Sequence, residues 1–541
     1  MKMKIKHFKI LALLIPALAL HACHADLDQE PIDPDSFTET NVFASTAEAK
    51  GALAKLYASL SLTGQEGPAG DADISGIDEG TSQYSRMLFS LNELTTDHAV
   101  VGWGDPGLPN LHAMNWGASN DFTTGMYYRL AQEVSFANSF IDNAGRLEGE
   151  EAEAFIAEAR FLRAFAYYNL IDLFGNVPLV KEVTTSLPEQ NTRTEIFEFV
   201  ESELLEIQDQ LLESGANEYG RVDRVAAWAL LSKLYLNAEV WTGTEMYAES
   251  LEFSNKVINS SYSINTTDAN GNGSAYDELF LADNDSNGAQ DEFIFAINFD
   301  GINSRTYGGT TFLVHAAIGG SMKASDFGVN GGWGGLRTTK ALVNKFDYAV
   351  TERDGDGDPI AWSDGRAMFY TDGQEFEINT IANTFTDGYA VTKFTNIDSE
   401  GNQGNDESGE YVDTDLPLIR LAEIYLNYAE VVARGEGGDV GTAVAYINEL
   451  RERAFGDNSG NITAADLTLD FIEAERSREL YWEGQRRTDL IRFNDFTTTN
   501  YLWPFKGGAK NGTAVEPFRE LFPLPSNIIS VNPNLTQNPG Y

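Results

Sequence analysis

Three aromatic residues stand where nothing local can bury them. Trp103 lies in Val101-Gly102-Trp103-Gly104-Asp105-Pro106, a loop without helical or strand period. Trp333 lies in Gly331-Gly332-Trp333-Gly334-Gly335, where four glycines leave the indole few side chains to pack on. Tyr307 sits in the turn Thr306-Tyr307-Gly308-Gly309. Rings of this kind combine an apolar face with defined geometry, so they suit a flat amphipathic plate such as a sugar ring. The alternative for each is a plug under a loop. Trp228 and Trp482 read as core, and Trp116, Trp362 and Trp503 are undecided.

Other chemistry is weakly represented. The six histidines form no i,i+4 pair of the zinc-hydrolase kind. There is no G-x-S-x-G elbow and no phosphate loop. Two carboxylates suffice for a glycosidase, and 82 acidic residues leave a surface glycoside hydrolase open as a second reading. Asp354-Gly355-Asp356-Gly357-Asp358 and Asp268-x-Asn270-x-Asn272-Gly273 resemble calcium loops but lack the residues an EF-hand requires at its later positions, so they read as solvated turns.

The chain has 541 residues, 42% of them hydrophobic, and a formal net charge of -45. That apolar content supports a large core and excludes a disordered acidic chain. The charge argues against nucleic acid and against a polybasic membrane face. A single cysteine permits no internal disulfide and no Cys-based zinc site. It is Cys23, and it follows Lys2, Lys4, Lys6 and Lys9 and an apolar run Ile10–Leu20 too short to span a bilayer. Leu20-His21-Ala22-Cys23 resembles a bacterial lipobox, so residues 1–22 read as a signal peptide and Cys23 as the lipidated N-terminus of 23–541.

Helical periodicity is strongest over Thr46–Leu62, Glu150–Phe174, Val222–Ala238, Glu245–Ile258, Pro417–Arg434, Val440–Phe455 and Leu469–Trp482. Paired helices with small residues at crossings suggest tetratricopeptide-like hairpins over about 46–260 and 417–492, although a strict repeat is absent and a plain bundle fits as well. Residues 262–416 are rich in Gly, Asn, Asp, Thr and Ser, with short strand-like runs at Phe293–Phe299 and Ala390–Phe394. Such a region packs on a helical scaffold and carries binding residues. Phe522–Tyr541 reads as extended.

Several blocks together resemble the SusD/RagB family of nutrient-uptake lipoproteins. They are Ala159-Arg160-Phe161-Leu162-Arg163-Ala164 running to Leu173-Phe174-Gly175-Asn176-Val177-Pro178, and Leu418-Ile419-Arg420-Leu421-Ala422-Glu423. Further on come Glu475-Arg476-Ser477-Arg478-Glu479-Leu480 with Glu483-Gly484-Gln485-Arg486-Arg487, and the terminus Gln537-Asn538-Pro539-Gly540-Tyr541. Within the family the similarity is greatest to starch binders, as in Arg305-Thr306-Tyr307-Gly308-Gly309.

The resemblance implies a mainly α fold with tetratricopeptide-like units and a loop-rich ligand face. It implies an outer-membrane, lipid-anchored surface protein that binds glycan without cleaving it and caps a SusC-type TonB-dependent transporter. Starch or malto-oligosaccharide is the expected ligand, another glycan or a helical interaction scaffold the alternatives. Trp103, Tyr307 and Trp333 match aromatics of the starch site, Arg86 matches its arginine, and Asp105 stands in for its asparagine. A second tryptophan of the family site is replaced by Val101. One structural calcium ion is also implied, with Asp285, Asn287, Asp291 and Asp439 at the matching positions.

Overall fold

The computed structural model describes residues 42–541 except Asp71 and Asn383. The signal segment and the lipid site at Cys23 lie outside the described residues. The chain divides at Ala52, within helix α1 (Thr46–Ser61); the description below concerns Leu53–Tyr541.

Helices dominate. The site helix α2 (Tyr84–Asn92) is followed by α3 (Asp121–Ala144) and α4 (Glu150–Leu173), each of 24 residues. Then come α5 (Arg193–Ile207), α6 (Arg224–Leu236) and α7 (Tyr247–Ile258). After a long, mostly irregular stretch that includes the short α8 (Gly309–Ala316) and a five-residue helix, Lys340–Asn344, the helices resume. They are α9 (Leu421–Arg434), α10 (Val440–Phe455), α11 (Leu469–Leu480) and α12 (Arg486–Arg492). Successive helices pack in pairs: α3 on α4, α4 on α5, α6 on α7, and α9 on both α7 and α10.

Caps set many of these boundaries. Asn120 accepts from the first-turn N–H groups of α3, and Thr192 with Glu195 forms a capping box on α5. Asp223 caps α6, while α9 ends on Gly435 at φ 84, the left-handed conformation that glycine adopts without penalty. Inside the pairs, α4 buries Phe155, Phe161, Leu162 and Phe165, and Phe161 and Phe165 meet Phe295 edge-on at 5.6 and 5.3 Å.

Four short strands matter: β1 (Val100–Val101), β2 (Phe293–Ile297), β3 (Leu336–Arg337) and β4 (Leu416–Arg420). β2 pairs antiparallel with β4, and β1 with β3. The helix read over Pro417–Arg434 is therefore strand β4 followed by α9. Every β4 residue is buried, so no alternation marked it as a strand. The C-terminal segment read as extended contains a helix over Ser526–Val531. Trp116 and Trp503 are core residues. Trp482 is buried too, but in a left-handed turn (φ 66) beyond α11. Trp228 is only half-buried and donates its indole N–H to Gln208.

The loop-rich region is fastened to the helices by buried ion pairs. Glu479 of α11 bonds Arg420 at 2.6 Å, Arg366 at 3.1 Å, and Arg453 of α10. Glu292 bonds Arg420 and Arg453 as well, at 2.9 and 2.5 Å. Lys393 and Arg420 share Glu483, each at 2.7 Å.

Candidate functional site

The site is built around α2 and α8, which pack together. Their N-termini share one acceptor. The buried side chain of Gln83 accepts from the backbone N–H of Arg86 at 2.8 Å and of Gly309 at 2.9 Å. Its amide nitrogen donates to the carbonyls of Leu60 and Ser61 at 2.7 and 3.2 Å. One amide thus closes orphan donors of two helices and brings Arg86 and the Tyr307 turn side by side. A Cβ on Gly308 would collide with Gln83, which is why that turn requires glycine.

The C-terminal end of α8 holds the second loop. Backbone N–H groups of Trp333, Gly334 and Gly335 donate to the carbonyls of His315, Ile318 and Ala316 at 2.7, 2.9 and 2.8 Å. Helix carbonyls that would lack partners are satisfied, and the Trp333 backbone is fixed. The β1–β3 pair brings in the third loop, with Val101 opposite Leu336 and Gly102 N–H donating to Gly335 C=O at 3.1 Å. A Cβ on Gly335 would enter the indole of Trp103.

The result is an aromatic arc. The Trp103 and Trp333 rings lie 6.4 Å apart, and Trp333 and Tyr307 6.3 Å apart. Tyr411 extends the row at 5.5 Å from Tyr307. Trp103, Trp333 and Tyr307 are each half-buried, with their inner sides packed and the rest open. Phe312 supports Trp103 edge-on at 6.0 Å, and the imidazole of His315 stacks on Trp333 at 4.7 Å and 17°. None of the three sequence-derived aromatics is fully buried.

Arg86 lies behind the arc. Its guanidinium carbon is 4.5 Å from the Phe312 ring centre and 5.9 Å from that of Trp103, and Nη1 donates to Gly80 C=O at 2.5 Å. Its Nε is buried without a hydrogen-bond partner. Burial lowers its pKa to about 10 against the opposing pull of Asp105 and Asp78, so it stays charged at neutral pH. Asp105 therefore acts on the site as the counter-charge to Arg86. Val101 is buried in β1 and supplies no platform.

Both ring nitrogens of His315 face carbonyl oxygens, that of Gly331 at 2.6 Å and that of Glu410 at 3.0 Å, and each carbonyl can only accept from a ring N–H. Burial lowers its pKa, although both carbonyls favour the protonated ring. Sequence reasoning missed Gln83, His315, Phe312, Glu410 and Tyr411. Only His315 carried a signal, as a histidine within an otherwise apolar run, Thr310-Thr311-Phe312-Leu313-Val314-His315.

Three of the residues matched to calcium have hydrogen-bond partners within the chain. The Asp439 carboxylate caps α10 by accepting from Thr442 N–H at 2.7 Å and its hydroxyl at 2.9 Å. Asn287 directs its amide nitrogen at Glu278 C=O at 3.0 Å, and its oxygen accepts from Ala289 N–H at 2.9 Å. Asp285 accepts from the neighbouring Ser286 hydroxyl, and Asp291 lies in a single 3₁₀ turn. Among the described residues, no group of three or more His, Cys, Asp or Glu is arranged to hold a metal ion. Calcium rests on the resemblance alone.

A helical scaffold displaying a row of half-buried aromatic rings is an arrangement that suits a carbohydrate ligand. The comparisons agree. A family model described as the SusD family matches residues 291–541, and one described as starch-binding, associating with the outer membrane, matches 76–236. The chain is 37% identical to the starch-binding protein SusD of Bacteroides thetaiotaomicron over 100% of both chains. It is 26% identical to SusD-like protein P2 of Formosa agariphila, over 99% of this chain and 100% of that one. A SusD homologue from Bacteroides thetaiotaomicron superposes with a TM-score of 0.71 at 19% identity, covering 93% of this chain and 98% of that one. Surface glycan-binding protein A of Bacteroides fluxus gives 0.67 at 22%, covering 92% and 99%. This chain belongs to the SusD family. It is a SusD-like glycan-binding protein and not an enzyme. Among the described residues no helix is long and apolar enough to cross a membrane.

Proposed function

We propose that the protein captures starch or malto-oligosaccharides at the arc Trp103–Trp333–Tyr307 and passes them to a SusC-type TonB-dependent transporter, held at the outer membrane by lipid on Cys23. The observation that carries the ligand reading is the row of half-buried rings with neighbouring centres 6.4 and 6.3 Å apart. A row of platforms at this spacing suits an oligosaccharide, whose successive rings can each stack on one of them. Arg86 supplies donors to hydroxyls beside the stacked sugars. The 37% identity to a protein named for starch binding supports the same ligand.

Trp333→Ala and Trp103→Ala are each expected to weaken binding by about five- to tenfold, as loss of one stacking platform of about 1 kcal/mol or more implies. Affinity electrophoresis in soluble starch measures this. Wild-type retardation in both variants would overturn the assignment. Delivery and anchoring are read separately: the transporter should co-purify with wild type from outer membranes, and Cys23→Ala should release the protein from them.

A further inference from the structure

The short loop Asp406–Tyr411 meets the arc from behind at two points. Through its side chain, Glu410 accepts the hydroxyl hydrogen of Tyr307 at 2.7 Å. Through its backbone carbonyl, the same residue meets Nε2 of His315 at 3.0 Å, and that imidazole stacks on Trp333. Tyr411 donates its own hydroxyl to the oxygen of Tyr307 at 3.1 Å. Tyr307 is therefore engaged both as donor and as acceptor, which fixes its tilt and leaves the ring face as its contribution to a ligand.

The loop is itself rigid. The Asp406 carboxylate accepts the N–H groups of Ser408, Glu410 and Tyr411, each at 3.0 Å, and the Ser408 hydroxyl at 2.8 Å. These bonds hold that carboxyl below its usual range. Tyr411 is buried, and Gly409 turns the chain at φ 67 while its N–H returns to Asp406 C=O.

Charge then matters. At the other end of the arc Arg86 is offset by Asp105 and Asp78. At the Tyr307 end the half-buried Glu410 carboxylate sits against the platform itself. Arg305 is over the Tyr411 ring at 5.6 Å, and no ion pair joins it to Glu410 among the described residues.

We propose that Glu410 is a positioning and selectivity residue of the glycan site: its carboxylate fixes the tilt of Tyr307, and its charge disfavours anionic glycans. This rests on the glycan-binding reading above. It assigns neutral oligosaccharides as the ligand class and uronate-bearing or sulfated ones as the class turned away.

Titration calorimetry of wild type, Glu410→Ala and Glu410→Gln with maltoheptaose and with its terminally carboxylated form tests this. Glu410→Ala should lose about three- to tenfold in affinity for the neutral ligand, as expected when one orienting hydrogen bond is removed. Glu410→Gln still accepts the Tyr307 hydroxyl and should bind the neutral ligand within about twofold of wild type. Its preference for neutral over carboxylated ligand should shrink by about threefold or more at low salt, and the difference from wild type should fade at high salt. Unchanged neutral affinity in the alanine variant, or an unchanged preference in the glutamine variant, overturns the proposal. If the alanine variant does not fold by far-ultraviolet circular dichroism, the glutamine variant decides alone. A wild type that binds neither ligand overturns the starch reading instead; the variants are then compared, with the same two outcomes, on the neutral oligosaccharide that wild type retains.

Discussion

The aromatic arc depends as much on absent side chains as on present ones. Gly335 lies against the indole of Trp103, and Gly308 against Gln83. The first contact gives a test that replaces none of the proposed binding residues. Gly335→Ala must push the Trp103 ring off its position, since a methyl group and an indole cannot share the space. Starch retention is expected to fall toward that of Trp103→Ala while the far-ultraviolet spectrum stays that of wild type. Full retention would show that the placement of Trp103 is not critical. The aromatic residues themselves were legible in the sequence because glycine surrounds them. Their supports were not: Gln83 reaches across 226 residues to Gly309, and Tyr307 across 103 to Glu410. Bonds of that span leave no local pattern.

At the level of elements, the buried charges decide whether the loop-rich region stays on its scaffold. Glu479 faces Arg366, Arg420 and Arg453 at once, and all four side chains are essentially without exposure. Such a cluster adds little over well-packed apolar residues, but breaking it leaves guanidinium groups buried and unpaired. Glu479→Ala is expected to destabilise the protein by about 3–5 kcal/mol in urea unfolding. A loss below about 1 kcal/mol would mean that Glu292 and Glu483 compensate alone. The helices here were mostly readable. Val440–Phe455 matches the observed α10 at both ends, and Glu150–Phe174 exceeds α4 by one residue. What could not be read was β4, whose Leu416, Leu418 and Ile419 are all buried and merge with the apolar pattern of α9. Helix α3 was passed over as well, because Gly125 and its many polar residues weaken the stripe.

Across the whole molecule, carboxylates divide into two sets with opposite pH behaviour. Arginine neighbours outweigh burial and hold Glu479 and Asp489 at about 2, a contribution present above the ordinary carboxylate range and lost as pH falls toward 2. Burial, with no ion-pair partner among the described residues, instead raises Glu133 and Asp415 to about 8, and burial raises Glu278 to about 7. These groups bind protons in the folded state that the unfolded chain has released, so stability falls as pH rises from about 4 to 8. The melting temperature should be higher at pH 5.5 than at pH 8.5 at constant ionic strength, and Glu133→Gln should narrow the gap. An equal or higher value at pH 8.5 would refute this. The arc has an optical consequence too. Two indoles 6.4 Å apart and inclined by 48° share their electronic excitations, so this pair should give a split circular dichroism band that no single tryptophan gives. The protein thereby carries a built-in reporter of ring placement, readable without label or ligand, on which a sliding sugar or a displaced loop would register as a change of sign or amplitude.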